Sequence, residues 1–386
     1  MRLLTRAAPS RGPTNKPHQG GRTRNWKSTL ITTSPSLAAA KQRLAILLVC
    51  AAAIAGLAQN SQRARALLKQ SDEWFRSEEG RRATDNVLSW QSPAGSWPKN
   101  QSTTHAPYTG DASELKGTFD NGATTDELRF LARAFRVTRD ERCRQAVLKG
   151  LDHVLSAQYP SGGWPQYAPP PATSYHRHIT FNDGTMVRLL DLLREVGTST
   201  QFDFVDQSRR QSAREAFDRG IACILKCQIV VNGTLTVWCA QHDERDFSPR
   251  PARSYELVSL SGAESAGILR FLMSLDHPSP EIIRAVKAGA AWFDSAKITG
   301  WRQTRQGGNK VMVADPDAPP LWARFYEIET GRPLFSGRDG VAKYDLAEIE
   351  DERRNGYAWY GSWGEQVAAD HEKWSRKWLK LEAAAP

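Results

Sequence analysis

The chain has 386 residues, 40% of them hydrophobic, and a net charge of +10, enough length to bury the core of one large domain or two small ones. Residues 1–58 hold nine Lys and Arg and no acidic residue, so the other 328 residues carry only +1. The basic excess therefore sits in the leader. It offers no patch for neutralising phosphates, which argues against nucleic acid as a partner.

In that leader, Lys41 and Arg43 precede an apolar run over 44–58 that ends in G-L-A before Gln59. The run is short of the ~20 residues that span a bilayer. It predicts a signal peptide with an extended basic n-region over 1–58, hence a secreted or periplasmic protein with no membrane attachment after cleavage. A membrane anchor is the plainer alternative. Cys50 follows the bulky Val49, a poor context for lipidation. Cys143, Cys223, Cys227 and Cys239 remain, an even number that permits disulfides, while their spacing lacks the paired C-x-x-C of a zinc site. Residues 59–94 read as lead-in helices of the same domain as 95–386, and the expected state is a monomer.

Beyond residue 94 apolar residues recur at helical spacing: Leu128, Leu131, Phe135; Val147, Leu151, Val154; Met186, Leu189, Leu193; then 221–225, 268–272 and 282–292. No long run alternates with strand period, which disfavours an all-β or doubly wound fold.

Two interlocked repeats organise this pattern. Residues 118–127 read T-F-D-N-G-A-T-T-D-E, and 62 positions on, T-F-N-D-G-T at 180–185 again leads into a helix. Each sets an Asp/Asn pair and a glycine at a helix start. The second repeat is V-L-S-W-Q-S-P-A-G-S-W-P-K-N at 87–100 and V-L-S-A-Q-Y-P-S-G-G-W-P-Q-Y at 154–167, with looser versions at 224–238 and 290–301. Each unit then holds two helices, and such units stack or close on one another to bury their apolar faces. The predicted fold is all-α, an incomplete (α/α) toroid of helical pairs with long loops, whose equivalent loops gather at one end.

A third loop, S-L-S-G-A-E at 259–264, aligns Gly262 with Gly122 and Gly184 but lacks the Asx pair, and Arg250 and Arg253 lie just before it. Thr124 with Glu127, and Ser261 with Glu264, have capping-box spacing. Asp120, Asn121 and Asp183 exceed what capping requires, and their oxygen-only chemistry suits calcium better than zinc. Carboxylates and amides from two units, with arginine from the third, suit an anionic substrate bridged by a cation. His176 and His178 flank Arg177 and read as loop residues, and Trp97, Trp164 and Trp301 read either as core or as stacking platforms for sugar faces.

Several motifs in order carry a resemblance: G-T-F-D-N-G-A-T-T at 117–125, G-G-W-P-Q-Y at 162–167, I-T-F-N-D-G at 179–184, A-R-S-Y-E at 252–256, W-A-R-F-Y at 322–326 and R-N-G-Y-A-W-Y-G at 354–361. From about residue 95 onward the chain resembles the catalytic module of the pectate lyases of polysaccharide lyase family ten, whose fold is a helical toroid. The resemblance implies calcium-assisted β-elimination in polygalacturonate (pectin). Arg253 stands at the position of the base. Asp120, Asn121 and Asp183 are the implied holders of calcium or of the substrate's acid group, and Arg324, Arg338 and Arg354 match the arginines that grip uronate carboxylates. Two other readings stand beside it: a glycoside hydrolase on a similar toroid with Asp120 and Asp183 as acid and base, and a noncatalytic pectin-binding protein.

Overall fold

Helices form where the apolar spacing predicts them. The computed structural model describes residues 63–382, all within one unit of the chain, Ile54–Pro386. The expected signal over 1–58, with Cys50, lies outside the described residues. α1 (Arg63–Leu67), α2 (Asp72–Arg76) and α3 (Glu78–Ser89) lead in. Three helical pairs follow: α4 (Thr125–Thr138) with α5 (Glu141–Ser156), α6 (Thr185–Thr198) with α7 (Gln207–Cys227), and α8 (Gly262–Met273) with α9 (Pro280–Ser295). α10 (Asp351–Gly356) and α11 (Trp363–Glu382) come last.

Within each pair a glycine on the second helix allows close approach. A Cβ on Gly150, Gly220 or Gly289 would meet Leu128, Leu190 or Leu269 at 2.6, 2.4 or 2.7 Å. Between units a glutamine repeats one pair of bonds. Nε2 of Gln91 donates to Gly95 O (3.1 Å) and Ala146 O (2.9 Å), that of Gln158 to Gly162 O (2.9 Å) and Ala216 O (2.8 Å), and that of Gln228 to Thr236 O (2.8 Å) and Ala285 O (3.0 Å). The result is one row of neighbours, α3, α5, α7 and α9, beside a second, α4, α6 and α8, with α11 packed on both α8 and α9.

A buried tryptophan closes each unit. Trp97, Trp164, Trp238 and Trp322 donate Nε1 to Val87 O, Val154 O, Ile224 O and Phe293 O at 2.8, 2.8, 2.7 and 2.8 Å, satisfying carbonyls near helix C-termini that have no partner inside the helix. The sequence expectation puts Trp301 in the fourth place. Instead Trp301 is 45% exposed and opens a hairpin, Trp301–Gln306 with Asn309–Ala314, turned at Gly307 and Gly308 with positive φ. The hairpin is inserted ahead of Trp322, which takes the buried place.

The other strands are two-residue pairs, and no sheet closes among the described residues. The fold is mostly helical, around one large core, with a smaller core of Tyr255, Phe325, Phe335, Leu346, Ile349 and Trp359 under the C-terminal loops. Cys143, Cys223, Cys227 and Cys239 are buried free thiols.

Candidate active site

Each of the three loops is tied to its tryptophan loop by a backbone bond: Thr118 N to Trp97 O (2.9 Å), Thr180 N to Trp164 O (3.1 Å), Ser261 N to Trp238 O (2.8 Å). The next residue bonds onward to the following loop: Phe119 N to Gln166 O (3.1 Å), Phe181 N to Ala240 O (2.9 Å), Gly262 N to Arg324 O (2.8 Å). Gly262 is thus in register with Phe119 and Phe181, not with Gly122 and Gly184 as the sequence alignment had it. The third loop is shorter, because Ser265 Oγ already makes the bond to Trp238 N (3.0 Å) that Thr124 Oγ1 makes to Trp97 N (2.9 Å). Counted from these bonds, Glu264 falls at the place of Asn121 and Asp183.

The swapped D-N and N-D pairs now have a physical reading. Asn121 (φ 54°, ψ 24°) and Asp183 (φ 52°, ψ 22°) share the left-handed conformation that Asx residues tolerate. Thr124, itself at φ 70°, does not cap α4, since its hydroxyl is committed to Trp97 N and Thr118 O. Ser261 does cap α8: it accepts from Glu264 N (3.4 Å) and donates to the Glu264 carboxylate.

Charge then collects where the three loops meet. Asp120, 2% exposed, accepts at Oδ2 from Lys99 Nζ (2.5 Å) and Gln166 Nε2 (2.6 Å), while its Oδ1 is buried without a partner. The Asn121 side chain beside it makes no hydrogen bond among the described residues. Arg324 Nη2 donates to Glu264 Oε1 (2.5 Å) and Asn182 Oδ1 (3.3 Å) and lies 3.8 Å from Asp183 Oδ1. Burial first, then the charges of Asp120 and Glu264, push the Asp183 carboxyl above its ordinary range, against the pull of Arg324 and Arg253. Three acidic groups from three units therefore lie close together, with Lys99 and Arg324 set among them.

Arg253 adjoins this cluster. Its Nε donates to Glu256 Oε2 at 2.8 Å and its Nη2 to Glu256 Oε1, and the Tyr357 hydroxyl donates to the same Oε1 at 2.6 Å. The guanidinium lies 4.9 Å from the Tyr255 ring and 5.6 Å from that of Tyr357. Arg324 lies 4.7 Å from the Tyr357 ring and Arg353 4.7 Å from that of Tyr255. Burial alone would lower the Arg253 pKa. Hydrogen bonding and charge from Glu256 more than offset this and hold it above its ordinary value.

Asp120, Asp183, Arg253 and Arg324 are thus neighbours, with Asn121 on the Asp120 turn. Arg338 and Arg354 are not drawn in. Arg338, its side chain 63% exposed, pairs with Glu352, and Arg354 pairs with Asp351. The arginine of that segment that comes beside Arg253 is Arg353, which lies over the Tyr255 ring and pairs with Glu352. Lys99, Glu256, Glu264 and Tyr357 escape a sequence reading that looks for Asx pairs and arginines, although each lies in or beside a quoted motif. Trp97 and Trp164, fully buried, offer no sugar platform. The half-buried aromatic group near Lys99 is instead Tyr167, His176 and Tyr175, with the His176 ring 5.1 Å and 4.0 Å from the two tyrosines. A further convergent set, His178, Asp243 and Glu244, brings its ligand atoms within 4.8 Å. Its carboxylates are already paired with Arg177 and Arg250.

The family model described as pectic acid lyase matches residues 91–368. The family 10 polysaccharide lyase from Cellvibrio cellulosa is 34% identical with a TM-score of 0.70, the match covering 82% of this chain and 97% of that one. An Asp→Ala mutant of it in complex with trigalacturonic acid is 35% identical with a TM-score of 0.71, covering 81% and 97%. No curated protein matches the chain. By class the protein is a polysaccharide lyase. Within that class it belongs to the pectic acid lyase family.

Proposed function

We propose that the protein cleaves α-1,4-polygalacturonate by calcium-assisted β-elimination, with Arg253 removing the C5 proton. The observation that carries this reading is the meeting of the loops of Asp120, Asp183 and Glu264 beside Arg324 and Arg253. Removing a proton next to a carboxylate spreads negative charge into it, so cations on that carboxylate favour the transition state over the ground state. Arg324, anchored by Glu264 and backed by the Tyr357 ring, would supply one such cation as a fork. Asp120, Asn121 and Asp183 fit a calcium ion: each can offer an oxygen ligand, Asp120 Oδ1 is buried and unpartnered, and burial with the neighbouring acids Asp120 and Glu264 raises the Asp183 carboxyl, which a bound cation would relieve. Bound there, calcium would add positive charge at the uronate carboxylate.

Arg253 is charged in its pair with Glu256, and guanidinium is a poor base in that form. Turnover would therefore draw on a small neutral fraction and rise with pH. Arg338 and Arg354 would serve only substrate units bound farther out. The two helical rows are read as an incomplete toroid, residues 59–94 as part of the catalytic domain, and 1–58 as a signal for export. The protein would act as a monomer.

The test is the purified mature protein on polygalacturonate. An unsaturated, ultraviolet-absorbing product at alkaline pH, abolished by chelation and restored by calcium, is expected. Chain cleavage without that absorbance would indicate a hydrolase and overturn the reading, as would a maximum near pH 5.

A further inference from the structure

The guanidinium of Arg253 has three nitrogens, and two are taken. Glu256, only 3% exposed along its side chain, holds Nε and Nη2, and it also accepts from Arg253 N at 3.2 Å. Nη1 makes no hydrogen bond among the described residues. The rings of Tyr255 and Tyr357, 5.4 Å apart and steeply inclined at 75°, restrict the guanidinium plane from two sides. Tyr357 also contacts Arg324 through the same ring and Glu256 through its hydroxyl.

We infer that Glu256 and Tyr357 are positioning residues that aim Nη1 of Arg253 at the C5 proton, with Tyr357 fixing the spacing between this base and the carboxylate-gripping Arg324. The inference rests on the reading of Arg253 as base. In the elimination the proton passes from C5 to Nη1 of the neutral guanidine, the electron pair of the C5–H bond forms the C4–C5 double bond, and the C4–O4 bond breaks with its electron pair leaving on O4, which takes a proton from water to become the hydroxyl of the released chain. The fork to Glu256 keeps the other two nitrogens in place throughout, so the base does not have to be reoriented at each turnover. Glu256 also tunes the base through its charge. The Tyr357 hydroxyl draws off part of that charge, and it remains a donor in alkaline solution because burial, and then the nearby Glu256 charge, hold its phenol far above the ordinary value against the pull of Arg324.

The charged and titratable groups around Arg253 are few. Glu256 and Tyr255 come from its own loop, Tyr357 and Arg353 from α10 and the residue after it, Tyr175 and His176 from the turn at 174–178, and Asp183 from the second Asx loop. Of these only Glu256 bonds the guanidinium, so changes at Glu256 and Tyr357 should move the pH dependence in opposite directions. Glu256→Gln removes the charge that holds Arg253 protonated, so its activity–pH curve shifts to lower pH by about one unit. Loss of one arm of the fork also lowers kcat by about tenfold or more at the optimum, with KM nearly unchanged. Tyr357→Phe keeps the ring and deletes the hydroxyl. Glu256 recovers its full charge and the curve shifts to higher pH.

Both variants, the parent and Arg253→Ala would be assayed on one oligogalacturonate across the alkaline range, with melting temperatures as a check on folding. Opposed shifts in folded variants are the expected result. Uniform loss of activity at all pH values, shifts in the same direction, or a change in KM alone would overturn the inference. If Glu256→Gln does not fold, the shift in Tyr357→Phe decides. Arg253→Ala separates the two levels: turnover retained there removes the base and the positioning scheme together, whereas turnover lost there with unshifted curves removes the positioning scheme alone.

Discussion

Asn121 and Asp183 show how much a short motif can carry. Their left-handed backbone is legible in the D-N-G and N-D-G strings, because Asx and Gly are the residues that tolerate it. Glu264 was not legible: it sits in a capping box, and only the shortened third loop shows that its carboxylate faces Arg324 and Asp183. Arg324→Lys should keep a positive charge beside Glu264 but lose the fork, lowering kcat and kcat/KM on oligogalacturonate by about tenfold, as steady-state kinetics would measure. Glu127 makes a separate prediction about stability. Burial, and then the neighbouring Asp126, push its carboxyl up to about 7, with Thr103 Oγ1 donating to Oε1 at 3.0 Å. Because the folded-state pKa exceeds the unfolded one, the proton's contribution is present below the unfolded value and lost as pH rises toward 7. Glu127→Gln should therefore narrow the melting-temperature gap between pH 5 and pH 8 relative to the parent. An unchanged gap would show that this proton is not linked to folding.

At the level of elements, the helical pairs were readable because each needs an apolar stripe, and the stripes recur with the tryptophan loops. The Trp301–Gln306 and Asn309–Ala314 hairpin was not readable. Its first strand is partly or fully exposed at every position, so no buried face imposes the alternation that marks a strand. The glutamine links carry their own test. Gln158→Ala would leave the carbonyls of Ala216 and Gly162 short of a donor between two units and should cost about 1–3 kcal/mol in urea unfolding. Gly220→Ala should cost a similar amount, about 1–3 kcal/mol, because its new methyl would press on Leu190.

Over the whole molecule, the shift of the fourth tryptophan from Trp301 to Trp322 predicts unequal mutants. Trp322→Phe should lower the melting temperature by several degrees through loss of packing and of the bond to Phe293 O. Trp301→Ala, on an exposed hairpin, should leave it nearly unchanged. Equal effects would return Trp301 to the repeat. The carboxylates of the cluster come from the first, second and third helical pairs, and α11 packs mainly against the third. A row of units linked mainly to neighbours can fray from its ends. Fraying at either end would pull Asp120 or Glu264 out of line while most helices persist. Heat inactivation should then run ahead of the loss of far-ultraviolet signal, which makes turnover a more sensitive gauge of terminal unzipping than circular dichroism.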